Sequence, residues 1–461
     1  MRPRAGEGGT PLAPPPWLWL LLATYLWQLP SGVGWWRAQI RDLWTDRGAY
    51  SAEVVASPGF AALRVSTVSQ LMPTLVLVAG LFTVMVPHIR GRYTRWRYRL
   101  TDATVLDDGT TDGSTDGTTG ATGQEGLAGL RRAARTCAPG TTLTVSMWGK
   151  SPPARVYATG WRERRIAVSL GFVALWRRSP DRARALLVHE VGHLDCGEHL
   201  IAGLGSPFTR AVQVWPLVFL ASGVAPLVWL AARHEPAASL MWAQVVVVLS
   251  KATVVMVPVA ALWCAELAAD RYAVAVSGPA AVAQALHELR PPGRRHGFWN
   301  VTHPPMRLRR WCVERAGRPV VPVLLTVAGP LALLAHAAVV TLLGAVALAL
   351  AGDPLSAAVA SSLELAHRDL LTVPLWAAVV CVVLVWPELA AAWRRLWRGR
   401  AGAAVVPDAT AAPGVFAMGH WTVRAAAVAL PALVLAVALL PPSGAIDRDP
   451  VLRPSTAARQ E

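Results

Sequence analysis

Seven long blocks of apolar residues leave this chain few folds to choose from. They fall at roughly 17–34, 68–88, 211–232, 240–264, 319–350, 371–388 and 424–441 of the 461 residues. A helix needs about 20 such residues to cross the hydrocarbon of a bilayer. Buried helices of soluble proteins seldom run that far almost without charge, so the blocks read as about seven transmembrane helices. The last two are a little short or diluted with alanine, and Pro330 marks a kink or tilt in the fifth. The first block also has the apolar run of a signal peptide, with Arg2 and Arg4 ahead of it. No small-residue cleavage site is evident, however, and Trp17, Trp19, Trp27, Trp35 and Trp36 sit where interfacial anchors would, so a retained span is the better reading.

Charge orients the blocks. The formal net charge is +16, and the only lysines are Lys150 and Lys251. The arginines gather beside the apolar blocks, at 90, 92, 95, 97 and 99 after the second and at 394, 395, 398 and 400 after the sixth. Positive charge favours the cytoplasmic side. The chain then reads as a multi-pass protein of the cell (plasma) membrane, amino terminus inside and carboxyl terminus outside, with residues 89–210 and 265–318 in the cytoplasm. No helix-turn-helix, finger or aromatic-interleaved basic module is present, which argues against nucleic acid as the partner. Cys137, Cys196, Cys264, Cys312 and Cys381 form no CxxC, and four fall on or near the cytoplasmic side, so no disulfide framework is expected.

Within the first cytoplasmic stretch lies His189-Glu190-x-x-His193. On a helix, positions i and i+4 share a face, so two neutral imidazoles can hold one zinc ion, with Glu190 placed to take a proton from water. Ser179 as N-cap, Pro180 in the first turn and Asp181 at the positive end of the dipole predict the start of that helix. A third protein ligand is missing. Glu266, in the run 265–270 where the fourth block returns to the same side, is the best candidate, and Ala265, Ala268 and Ala269 leave room for a second helix. Asp270, one turn on, suits a carboxylate that orients a ligand imidazole. Asp195 and Glu198 are weaker choices of ligand because they lie close after the His pair, and Cys196 reads as packing. His303 either donates to a developing oxyanion or braces the site. Arg307, Arg309 and Arg310 either bind a carboxylate or serve as inside charges. Lys251, inside the fourth block, must reach an interface, find a partner or line a substrate path.

Between the second block and the motif, residues 142–147, 155–160 and 165–170 alternate as short strands, with a turn at 161–164. Such a sheet either supports the metal helix or offers an edge for substrate. The Gly-, Thr- and Asp-rich stretch within 101–127 cannot bury enough apolar surface to fold, and a short helix is predicted over 126–134. The organisation expected is therefore 1–100 (tail and two spans), 101–127 (low-complexity insertion), 128–318 (zinc peptidase region with the hairpin 211–264) and 319–461 (further spans and tail).

Four segments taken in order resemble the membrane gluzincins of the HtpX and CAAX prenyl protease type: 156–160 with 166–171, the HEVGH motif at 189–193, the run at 265–270, and THPPMRLR at 302–309. The resemblance covers residues 70–320. It implies a mainly α polytopic fold with a cytoplasmic zincin-like α+β catalytic region. It also implies one zinc per chain on His189, His193 and Glu266, with Glu190 as general base and Asp270 in support. Val156, Tyr157, Ala158, Thr159 and Gly160 then form the strand that pairs with an extended peptide or protein substrate. This sequence departs from the family at Arg155, which stands where an Asn is usual. The expected activity is endoproteolysis of membrane-associated or misfolded proteins. The alternatives are a protease-type sensor that cuts a cytoplasmic regulator, and a non-catalytic membrane scaffold. Oligomeric state is not readable from the sequence.

Overall fold

Four helices are long and apolar enough to cross a membrane: Pro58–Met85, Pro207–Arg233, Met241–Ser277 and Val320–Leu350. Leu375–Trp386 and Glu388–Trp397 make a fifth span if taken together, although they meet at 65°. Pro387, between them in sequence, supplies no backbone N–H to continue the helix, which accounts for the bend. The described residues thus hold four or five spans where the sequence predicts about seven. The first block forms a helix, Trp17–Ile40, whose apolar part Trp17–Trp27 is too short to cross. Of the last block only 425 and 428–436 are described. The chain is seen in a computed structural model that describes residues 14–41, 43, 51–69, 71–104, 117–147, 152–233, 238–288, 301–370, 373–402, 425 and 428–436.

Proline also shapes the span that carries Glu266. Ala238–Ala252 is followed by a single tight turn, Thr253–Val255, before the helix resumes as Met256–Ser277, called the exit helix below. Pro258 cannot donate to the carbonyl four residues back, at Val254, so the tighter turn falls where that bond is lost. Trp17, Phe208, Trp215, Phe219, Leu262 and Leu325 belong to the buried core that joins these helices. The indole N–H of Trp17 donates to the Leu325 carbonyl at 2.9 Å, fixing the first helix to the bundle.

A four-stranded sheet of order β1-β2-β4-β3 stands beside the bundle. Its strands are β1 Leu100–Asp102, β2 Thr141–Ser146, β3 Ala154–Tyr157 and β4 Arg164–Ser169. The three predicted strands match β2, β3 and β4. Three residues of β1 are too few to give a readable alternation. β2 and β4 run parallel, whereas β3 is antiparallel to β4 and lies at the edge. The helix before β2 spans Gly117–Cys137, longer than the predicted 126–134. It therefore takes in part of the expected low-complexity insertion, of which 105–116 lies outside the described residues.

After β4 come a short helix, Leu170–Arg178, and then the metal helix, Pro180–Asp195. Ser179 holds the predicted N-cap position, but its side chain makes no capping hydrogen bond. Pro180 sits at the start, where its missing N–H costs nothing. Leu187, Val188, Val191 and Leu194 are buried with Leu130, Ile166, Val168 and Phe172 in a second core that glues this helix to the sheet. A buried ion pair, Arg164 to Asp195 at 2.8 Å, ties β4 to the end of the same helix.

Candidate metal centre

The metal helix and the exit helix cross at Gly192. A Cβ there would lie 3.1 Å from the Cα of Ala269, so only the missing side chain lets the two backbones come this close. The crossing brings His189, a turn before Gly192, and His193, next to it, against Glu266, a turn before Ala269. One ligand atom from each lies within 4.8 Å of the others, and all three residues are buried. His189 Nε2 is 3.6 Å from Glu266 Oε2, and His193 Nε2 is 3.9 Å from Glu266 Oε1. A tetrahedral zinc with bonds of about 2.1 Å holds its ligand atoms about 3.4 Å apart, so small adjustments close the set.

The donors suit a cation. Among the described residues, His193 Nε2 and Glu266 Oε2 are buried without a hydrogen-bond partner. Unpaired buried polar atoms are costly, and an ion bound between them removes that cost. Each imidazole is turned toward this point by a carboxylate behind it. His189 Nδ1 lies 2.9 Å from Asp270 Oδ1, and His193 Nδ1 lies 2.7 Å from Glu198 Oε2. A carboxylate at Nδ1 keeps the proton there and leaves Nε2 its lone pair for metal. Burial pulls the His189 pKa down, but the hydrogen bond and charge of Asp270 outweigh it and raise it to about 9.

Asp270 is itself gripped by Arg309, through Nε at 2.8 Å and Nη2 at 2.7 Å. This fork settles Arg309, one of the arginines left open from sequence: it binds a carboxylate of its own chain. Burial pulls the guanidinium pKa down, but Asp270 outweighs it and raises it. The role of Glu198 is not apparent from its spacing. The metal helix ends at Asp195, and Gly197, at φ +74, reverses the chain. The N–H of Glu198 returns to the His193 carbonyl at 3.0 Å, which swings its carboxylate back under the same imidazole. The glycine just past the helix end was the available signal.

Glu190 is buried on the same helix, and its Oε2 accepts the backbone N–H of Val156 at 2.8 Å. Position 156 thus turns its polar groups outward from β3, and its carbonyl accepts the N–H of Leu204 at 2.7 Å. Alternation gives Ala154 the same outward sense. Of the predicted substrate segment, Val156 and Tyr157 lie in β3, whereas Ala158, Thr159 and Gly160 follow its end. Thr159 hydrogen-bonds Glu163. The loop bearing Leu204 is held by Arg90, which donates to the carbonyls of Leu200 at 2.6 Å and Leu204 at 3.3 Å. At least this member of the arginine cluster is an internal strut, and burial lowers its pKa to about 9.

His303 lies over the opposite side of Glu266, with Nδ1 3.0 Å from Oε1. Its Nε2 faces Arg155 Nη2 at 3.1 Å. A guanidinium only donates, so Nε2 accepts and the ring proton sits on Nδ1, the nitrogen nearer Glu266. This is the bracing arrangement. Arg155 also reaches Glu266 Oε1 directly, at 3.3 Å.

The far end of the chain meets the site as well. In the helix Val373–Gly402, Trp393 donates its indole N–H to the Cys196 carbonyl at 3.2 Å. The Trp397 ring covers Gly197 so closely that no Cβ fits there, and it stacks on Trp19 with centroids 5.2 Å apart.

Residues 128–312 match the family model for "Peptidase family M48". Two curated relatives, each named "Protease HtpX" and from Pseudomonas putida strains F1 and W619, are 23% identical over 187 residues, covering 36% of this chain. The chain spans 62% of the length of these relatives. No solved structure matches.

Proposed function

From the M48 match and the likeness to HtpX as premise, we propose that this chain is a membrane-embedded zinc endopeptidase that cuts membrane-associated or misfolded proteins. The observation that carries the proposal is the convergence of His189, His193 and Glu266, each backed by a second group, with the carboxylate of Glu190 beside them. Their spacing and the two buried donor atoms that lack a hydrogen bond fit one zinc ion per chain. That ion, when bound, supplies Lewis acidity to the scissile carbonyl and to water.

The rest belongs to the protein. Glu190, steadied by Val156, takes a proton from the attacking water as its oxygen bonds to the carbonyl carbon. It then delivers that proton to the amine nitrogen as the C–N bond breaks. Substrate lies extended along the outer edge of β3, where Ala154 still offers outward backbone groups. His303 and Arg309 hold Glu266 and Asp270 in place throughout. In this reading the arginines that flank the spans put the site on the cytoplasmic face.

The test is purification of the full chain in detergent, zinc quantification, and proteolysis of an unfolded membrane protein beside Glu190→Gln. The variant should keep its zinc and lose cleavage by about a hundredfold or more. Full activity in that variant sinks the assignment. A second reading, a sensor that cuts a cytoplasmic regulator, is favoured by one observation: the Val373–Gly402 helix, outside the M48 match, touches the end of the metal helix through Trp393 and Trp397.

A further inference from the structure

Beside the metal centre is a small recess, lined among others by Arg155, Val156, His193, Thr209, Glu266 and Thr302. Its acidic groups are already committed. Glu198, also on the wall, is bound to His193, and Glu266 belongs to the ligand trio. Its donors are less fully used. The Thr302 hydroxyl accepts from Gln213 at 3.2 Å, which leaves its own proton to give. Arg155 presents five N–H donors, and its side chain is 22% exposed, which makes it the accessible cation of the cluster; Arg309, at 7%, is sealed against Asp270.

Among the described residues, Glu266 and His303 hold the guanidinium of Arg155. A divalent ion taken up by Glu266 would draw that carboxylate's charge to itself and stand as a second cation a few ångströms from Arg155. The guanidinium then lacks a counterion at the mouth of a donor-rich recess. A planar fork in that position matches a carboxylate.

We infer that Arg155 is a specificity-determining residue which binds a carboxylate of the substrate close to the scissile bond. The inference rests on the peptidase reading and names the substrate class for it. The carboxylate comes from the end of a peptide or from an Asp or Glu side chain. The terminal case makes the enzyme trim carboxyl ends; the side-chain case makes it cut beside acidic residues.

The experiment uses the full zinc-loaded chain in detergent and a peptide set in matched pairs. One pair differs only in a free-acid or amidated carboxyl end near the cut site. The other is longer and carries Asp or Asn at the same distance from it. Binding is measured to Glu190→Gln, so that chemistry does not intervene, and cleavage is measured with the wild type. The acid member of at least one pair should bind about tenfold or more tighter than its neutral twin. Adding Arg155→Asn should bring that ratio to within about twofold of one, and Arg155→Lys should fall between. The pair that responds identifies the source of the carboxylate. Equal binding of acid and neutral twins in both pairs overturns the inference, without need of the Arg155 variants. So does a preference that survives Arg155→Asn. Cleavage that ignores Glu190 strikes the peptidase reading instead, and the two failures are thereby told apart.

Discussion

The backbone N–H of Val156 points at the carboxylate of Glu190, 2.8 Å away, and so one edge-strand amide holds the general base of the proposed reaction. An amide that faces off the sheet is not part of the ladder to β4, so removing it should leave the sheet paired. Val156→Pro should lower kcat by about tenfold or more with zinc content unchanged, because a mobile carboxylate is a poorer base. Steady-state kinetics with metal analysis on the same preparation check this.

The close crossing at Gly192 gives a second expectation. Gly192→Val puts branched carbons where the Ala269 backbone stands and must push the two helices apart. The imidazoles and Glu266 sit on opposite sides of that seam. Zinc affinity should fall by orders of magnitude, and stability by about 1–3 kcal/mol. Equilibrium dialysis against a chelator and thermal unfolding read the two effects separately.

Glu198 and Asp270 do the same job for their imidazoles but differ in what else depends on them. Glu198→Gln should weaken zinc binding by about 10- to 100-fold and disturb little more. Asp270→Asn should weaken it similarly, and it also strips the buried Arg309 of its fork partner. The second loss is of the order of 3–5 kcal/mol. A denaturant titration of both variants beside the wild type should separate them clearly.

His199 supplies a pH dependence. It is buried, and burial pushes its pKa down to about 3. The unfolded chain takes up this proton near pH 6.5, while the folded protein refuses it until about 3. Between those values the unfolded state binds more protons, so the contribution of this residue to stability falls as pH drops below about 6.5. Going from pH 7 to 5 should cost about 2 kcal/mol from this group. His199→Phe should lose less stability than the wild type over the same interval, as unfolding at the two pH values will show.

Much of the site was legible because its chemistry is local. His189, Glu190 and His193 lie within five positions of one helix, and Glu266 with Asp270 within another, so helical spacing sufficed. Glu198 read only as a poor ligand lying close after the His pair, and its place behind His193 depends on a chain reversal at Gly197, not on a helical face. Arg155 read only as a departure from a pattern, since its contacts with Glu266 and His303 join residues over a hundred positions apart. The spans were counted from apolarity alone, which does not register the bend at Pro387 or the short reach of Trp17–Trp27.

Trp393 and Trp397 have a practical bearing on any attempt to cut this protein down. A fragment ending near 318 would contain every residue that matches the peptidase family, and on paper it would be a minimal enzyme. It would also lose the two indoles that lid Cys196 and Gly197, leave Trp19 without its stacking neighbour, and wet the turn that presents Glu198 to His193. Trimming of that kind, whether by an experimenter or by a processing protease, should therefore act as an off-switch for metal retention.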